Sequence, residues 1–422
     1  MLEQKNKNMV KYNRFVLKNG LRVLVHEDPS TPMAVVNILY DVGARDENPN
    51  QTGFAHLFEH LMFGGSVNIP EYDRPLQLVG GENNAFTSND ITNYYLTLPA
   101  LNIETAFWLE SDRMLSLAFS QKSLDVQKNV VCEEFKQRYL NQPYGDVWLK
   151  LRPLAYKNHP YQWATIGKEL SHIENAQMAD VKAFFNKHYT PQNAILVVAG
   201  NVLTDEIKLL AEKWFEPISP GNKYVRNLPL EPEQNDERRE IVHADVPSDS
   251  LYIAFQMCEH DSPDYYVSDL ISDLLSRGQS SRLYRRLLKE QEMFSEINAY
   301  VMGSIDKGLF VVEGKPLPGV SVEVAEAAIW KELVSMADED VLDYELEKVK
   351  NKIESTMAFS EMSILNKAMN LAYFELLGDA EMINTETERY LSVTPRDIRR
   401  VSSQLFRKEN SSTLIYLSQE HA

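Results

Sequence analysis

The sequence predicts an α+β fold made of two duplicated halves, each a mainly antiparallel sheet with helices packed on it. Three observations carry that reading. Short buried or alternating strands are interleaved with amphipathic helices rather than with the regular crossovers of a parallel sheet. The stretch DVKAFFNKHYTPQNAILVV (180–198) returns as DIRRVSSQLFRKENSSTLIYL (397–417), with Asp180 matching Asp397 and Tyr189 matching Phe406 at one offset of 217. Between the copies, 216–236 holds four prolines and no apolar periodicity, as a linker does. The expected domains are therefore 1–216, a linker at 217–236, and 237–422.

The elements follow in order. FVLKNGLRVLVHED (15–28) alternates around Asn19-Gly20, a hairpin signal. MAVVNILYDVG (33–43) reads as a buried strand and leads into a helix containing FAHLFEHLMFGG (54–65). NYYLTLPA (93–100) is a strand, 102–119 an amphipathic helix, and a long helical stretch runs from Ser123 to Leu140. Helix 178–189 and strand 194–202 close the first half. In the second half, DSLYIAFQM (249–257) parallels the strand at 33–43, and DYYVSDLISDLLS (264–276) parallels the helix after it. That second helix has no histidine, so the two halves cannot share one chemistry.

Composition narrows the function classes. The 422 residues are 44% hydrophobic and 25% charged, as in a globular protein of more than one domain. Forty-three basic against 61 acidic residues give a net charge of −18, which disfavours nucleic acid as a partner. No apolar run approaches the length of a membrane span. The start, MLEQKNKNMVKYNRF, lacks an apolar signal region, and Cys132 and Cys258 are the only cysteines. A cytoplasmic location and no disulfide framework are the resulting expectations.

The chemistry concentrates at 54–65. His56 and His60 stand four apart in an otherwise apolar helix, with Glu59 between them. Ionisable groups interrupt an apolar face only where they are paired or bound. On a helix, positions i and i+4 share a face, and two imidazoles there can ligate one Zn²⁺. Glu59 sits beside the same position and suits a general base. The order H-x-x-E-H is the inverted zincin, or inverzincin, arrangement. A catalytic zinc needs a third protein ligand, and KNVVCEEFKQRY (128–139) offers Glu133 and Glu134.

These stretches, together with GGENNAFTS (80–88), TPQNAILVVAGNV and GQSSRLYRRL (278–287), resemble the pitrilysin/insulysin family of zinc peptidases. The resemblance covers nearly the whole chain and is strongest to half-length members related to the mitochondrial processing peptidase. It implies one shell of a clamshell zinc endopeptidase acting on unstructured peptides, with His56, His60 and Glu133 as ligands and Glu59 as the catalytic base. It also implies that Asn84, Ala85 and Phe86 lie on an edge strand where substrate adds as a β-strand, with main-chain hydrogen bonds giving sequence-tolerant binding.

Two departures qualify the resemblance. Relatives carry a glutamate seven residues before the third ligand, where this chain has Val126. An Arg and a Tyr seven apart hold substrate and oxyanion in active relatives, whereas this chain has Lys289 and Glu296. An ionised glutamate cannot donate to an oxyanion. The implied partner is a related zinc-less chain supplying Arg and Tyr, with a homodimer as the alternative. A catalytically silent subunit of the same family is the rival function.

Overall fold

The computed structural model describes residues 9–419. Its strands are β1 (Asn13–Val16), β2 (Arg22–Glu27), β3 (Met33–Tyr40), β4 (Glu82–Thr87), β5 (Thr92–Pro99), β6 (Ala194–Gly200), β7 (Arg238–Ala244), β8 (Ser250–Gln256), β9 (Phe294–Met302), β10 (Leu309–Pro316) and β11 (Ser411–Ser418). They form two sheets, ordered β1-β2-β6-β3-β5-β4 and β7-β11-β8-β10-β9. Without β1, the orders coincide strand for strand. In each sheet the first neighbouring pair (β2 with β6, β7 with β11) is parallel and every later pair antiparallel. The mainly antiparallel, duplicated α+β architecture read from the sequence is the observed one.

Side chains repeat as well. The Asn193 amide donates to the carbonyls of Asp41 (3.0 Å) and His188 (2.9 Å). Its counterpart at the offset of 217, Asn410, donates to those of Gln256 and Leu405, both at 3.0 Å. Asp180 and Asp397 each accept a backbone N–H at the start of their helices, 178–188 and 395–405. These bonds satisfy orphan donors at helix N-termini.

The compact units do not follow the expected split at 216 and 237. One unit comprises 1–135, 164–228 and 358–385, and the other 136–163, 229–357 and 386–422. A sheet with a helix layer on one side still has a second apolar face to cover. In the first unit, helix Ile364–Leu377 covers it, placing Ala368, Leu371 and Phe374 against Leu24, Val35, Leu39 and Val197. In the second, helix Val147–Ala155 covers it, placing Val147 and Leu151 against Tyr252, Val311, Leu414 and Tyr416. Each half of the sequence therefore supplies the helix that completes the other half's sheet. Apolar pattern alone does not say which sheet a helix covers, so a linear division missed the exchange.

The proline-rich segment forms no strand or helix, and it is anchored at both ends. Arg226 bonds the carboxylates of Asp41 (2.8 Å) and Asp46 (2.8 Å) in the first unit. Glu231 accepts the backbone N–H groups of Lys157, Asn158 and His159 at 2.8–2.9 Å in the second. Among the described residues, no helix is long and apolar enough to cross a membrane.

Expressed separately, 1–228 and 229–422 should each leave one apolar sheet face bare. Leu371 and Phe374 alone each contribute roughly 1.5–3 kcal/mol by burial. Each fragment is expected to aggregate or bind a hydrophobic dye, with co-expression restoring a soluble complex. A monodisperse fragment with its own cooperative melting would contradict the exchange.

Candidate metal centre

The motif helix, Phe54–Leu61, is held at its start by a residue from the loop just before it. Glu47, itself buried, accepts the N–H of Gly53 on Oε2 and that of Ala55 on Oε1, both at 2.8 Å. A carboxylate there satisfies orphan donors and meets the positive end of the helix dipole. Gly53 has φ 88°, and a Cβ on it would sit 2.6 Å from the Ile166 carbonyl oxygen, so glycine is required.

Packing then sets the rotation of the helix. Phe54, Leu57, Phe58 and Leu61 are buried. Phe58 stacks on Phe184 and on Tyr189, with ring centroids 5.1 Å apart in both cases. The Tyr94 hydroxyl donates to the Phe58 carbonyl at 3.3 Å. Beneath Tyr94 lies a buried ion pair, Arg113–Glu110 at 2.7 Å, whose guanidinium stacks 4.4 Å from the Tyr94 ring and 4.7 Å from that of Tyr72. Tyr72 donates a hydrogen bond to Glu110. Burial pushes the carboxyl of Glu110 up, against the pull of Arg113.

With the apolar face inward, His56 and His60 point to the partly exposed side, their rings 4.9 Å apart and nearly perpendicular. The motif helix packs against helix Gln121–Phe135 and against β4. Among the described residues, one group of His, Cys, Asp and Glu side chains is close enough to hold a metal: His56, His60 and Glu134, with donor atoms within 4.8 Å of one another. Glu134 Oε2 lies 3.4 Å from His60 Nε2 and 3.7 Å from His56 Nε2.

The carboxylate that the structure brings to the two histidines is Glu134, where Glu133 was expected. At about 100° per residue, Glu133 lies roughly 160° around the helix from Val131 and Phe135. Those two are buried and Glu133 is exposed, whereas Glu134 is turned toward the histidines. The burial period of this helix was the signal that separates the two. Counted from Glu134, the position seven upstream is Gln127, so Val126 has no bearing on the site and that position is still not a carboxylate. Cys132 is buried.

Donor type and spacing fit zinc. Two imidazoles and a carboxylate are a common three-ligand set for catalytic zinc, and bonds of about 2.0–2.1 Å in a tetrahedron hold ligand atoms roughly 3.3–3.4 Å apart. Glu59, half-buried, lies on the same helix. Tyr94 and Tyr189 are raised above the usual phenol range first by burial, and the negative charge of Glu59 adds to the effect.

The other expected residues fall elsewhere. Asn84, Ala85 and Phe86 lie in β4, the outermost strand of its sheet, paired only with β5 in the register Asn84↔Tyr95, Ala85↔Tyr94 and Phe86↔Asn93. The Ala85 N–H is covered by Asn84 Oδ1 at 2.8 Å. Lys289 and Glu296 belong to the second unit, where Lys289 stacks over Tyr284 and Glu296 pairs with Lys315 at 2.9 Å. Glu47, Tyr94 and Arg113 were not singled out in the sequence.

Residues 22–168 match the family described as insulinase (peptidase family M16), and residues 175–353 match the description peptidase M16 inactive domain. The chain belongs to peptidase family M16. Among M16 relatives it is similar to the zinc protease PqqE of Helicobacter pylori, at 29% identity over 413 residues, covering 96% of this chain and 93% of that protein. A solved protease structure from Helicobacter pylori matches with TM-score 0.91 and 28% identity, over 97% of this chain and 100% of that one. A Pseudomonas fluorescens structure described as a peptidase M16 inactive domain shares the fold, with TM-score 0.88 and 17% identity over 97% and 98% of the two chains. The M16 description containing the word inactive falls on the part of this chain whose equivalent helix lacks histidine.

Arg113→Met should destabilise the protein by about 3–5 kcal/mol, because it leaves the Glu110 carboxylate buried without its partner. Adding Glu110→Leu should recover part of that loss. Denaturant melts of the two variants measure it, and a single variant within about 0.5 kcal/mol of the parent would contradict the role assigned to the pair.

Proposed function

We propose that the protein is a zinc-dependent endopeptidase acting on unstructured peptides. The observation that carries this reading is the convergence of His56, His60 and Glu134 beside Glu59. A zinc ion held by those three residues supplies Lewis acidity toward a peptide carbonyl and toward water. Glu59 takes the proton from the attacking water and passes it to the leaving amine. The motif helix fixes Glu59 one residue before a ligand, so base and electrophile keep a constant relation.

Substrate binding is assigned to β4. Its outer edge presents main-chain groups to an incoming strand, beside the helix that carries Glu59. Asn84, Ala85 and Phe86 line that edge, and recognition through main-chain hydrogen bonds accounts for tolerance of sequence. Asn84 Oδ1 must leave the Ala85 N–H if a substrate carbonyl is to take its place.

The oxyanion donors are assigned to a partner chain. Lys289 and Glu296 stand where the family resemblance calls for Arg and Tyr, and Glu296 is already engaged by Lys315. A related chain without the zinc motif would supply both groups. The competing reading, a silent subunit, draws on the word inactive in the descriptions of one matching family region and one structural neighbour. Retention of two histidines, Glu59 and Glu134 favours catalysis.

Two experiments test the reading. Metal analysis of single alanine variants should show strong loss of zinc for His56, His60 and Glu134 and parental content for Glu133. Glu59→Gln should keep the zinc and lose cleavage of a quenched fluorogenic peptide. Retained zinc in Glu134→Ala, or near-parental turnover in Glu59→Gln, would overturn the respective role.

The isolated chain should turn over such a peptide weakly until a related, zinc-less chain is added. One missing oxyanion donor costs about 10²–10³ in rate. Full activity in a homodimer, established by light scattering alongside the assay, would refute the partner-chain assignment and leave the metal site standing.

A further inference from the structure

The duplicated fold is its own control for what lies beneath the motif helix. The offset of 217 places Leu196 of β6 with Thr413 of β11, and Tyr189 with Phe406. The strand registers carry the match inward. Leu196 pairs with Ile38 and Thr413 with Ile253, and these two pair in turn with Tyr94 and Val312. Tyr94 and Tyr189 of the first unit thus correspond to Val312 and Phe406 of the second. There, Val312 and Phe406 share one apolar core with Leu270, Ile271 and Leu274 of helix Pro263–Ser276. Apolar bulk is enough to support a helix at this place in the fold.

In the first unit both positions carry a hydroxyl instead. Tyr94 and Tyr189 are buried, and their oxygens lie 3.5 Å apart. The direction of the bonds follows from counting protons. Tyr94 gives its one proton to the Phe58 carbonyl at 3.3 Å, so its oxygen accepts from Tyr189. The Phe58 carbonyl also accepts the N–H of Met62 at 3.0 Å. Two donors on its two lone pairs fix the plane of that peptide group, which is the one joining Phe58 to Glu59. A buried hydroxyl costs free energy unless it is bonded, and once bonded it adds little stability. The second unit shows that the fold does not require it.

We propose that Tyr94 and Tyr189 are positioning residues for Glu59, acting in series: Tyr189 orients Tyr94, and Tyr94 holds the peptide group from which Glu59 leaves the helix. The proposal rests on the peptidase reading, in which Glu59 is the base. The three metal ligands are tied to one another once an ion is bound, whereas Glu59 is aimed by the backbone that carries it. Neither hydroxyl bonds to His56, His60 or Glu134, so their effect falls on the base and not on the metal. The Arg113 guanidinium, 4.4 Å from the Tyr94 ring centroid, keeps that ring in place from the other side. Two tyrosines therefore do for the catalytic half what valine and phenylalanine cannot do for its twin.

The test measures kcat, KM and zinc content for Tyr94→Phe, Tyr189→Phe and the double variant, with the partner chain present if the parent needs it. Zinc and KM should stay at parental values. For Tyr94→Phe, kcat should fall about two- to twelvefold, as loss of one hydrogen bond gives. Tyr189→Phe should lose less, and the double variant no more than Tyr94→Phe, because groups in series do not add. Parental kcat in Tyr94→Phe, or losses that multiply in the double variant, would overturn the proposal. So would lost zinc or a raised KM, which would move the role to the ligands or to substrate binding. Tyr189→Phe installs the side chain that the second unit already packs there. If Tyr94→Phe melts early, a parental kcat in Tyr189→Phe overturns the series by itself. A parent that holds zinc and cleaves nothing would instead end the peptidase reading, and this proposal with it.

Discussion

The peptidase chemistry proposed for this chain depends on how the eight-residue motif helix meets helix Gln121–Phe135. His56 and His60 share a face because they are one turn apart, which any helix would provide. Bringing Glu134 within 3.4–3.7 Å of both nitrogens needs the motif helix fixed in rotation and tilt against helix 121–135. Helix propensity cannot do that for so short a segment. Glu47 clamps its first turn, Gly53 lets the chain approach Ile166, and the Phe58 stack on Phe184 and Tyr189, with the Tyr94 hydrogen bond to the Phe58 carbonyl, sets its rotation. The buried Arg113–Glu110 pair below Tyr94 is a costly device in the wrong place and a rigid platform in the right one.

Duplication supplied the scaffold and then diverged in use. A six-strand and a five-strand sheet, of one topology once β1 is set aside, keep the same asparagine tie and the same capped helix. Only the first carries histidines on the helix after its central strand. The second carries Asp264, Ser268 and Asp269 among apolar residues there, and none of its side chains joins the His-and-carboxylate group. Exchange of helices 147–155 and 364–377 makes the two units interdependent, so neither sheet is complete without the other half of the chain.

Much of this was legible in the sequence, for physical reasons. Period-2 and period-3.6 patterns gave the strands and helices around the site, because both sheets bury at least one face. The offset between Asp180 and Asp397 exposed the duplication. His56, Glu59 and His60 stood out because charge within an apolar helix is expensive. Resemblance pointed to Glu133 of the pair at 133–134, while the burial period of Val131 and Phe135 points Glu133 outward and Glu134 toward the histidines. Helix exchange was not legible, since it is a long-range contact that leaves local pattern unchanged, and the Glu47 clamp was not, since it reaches across a loop six to eight residues long that has no periodic pattern. The anchored linker was read only as a proline-rich spacer, because ion pairs such as Arg226–Asp41 have no local signature.

Zinc K-edge anomalous diffraction on crystals of the metal-loaded protein tests the central claim most directly. One peak per chain is expected between His56 Nε2, His60 Nε2 and a carboxylate oxygen of Glu134, with bonds of about 2.0–2.2 Å. A peak bound through Glu133, or one outside the motif helix altogether, would contradict the account.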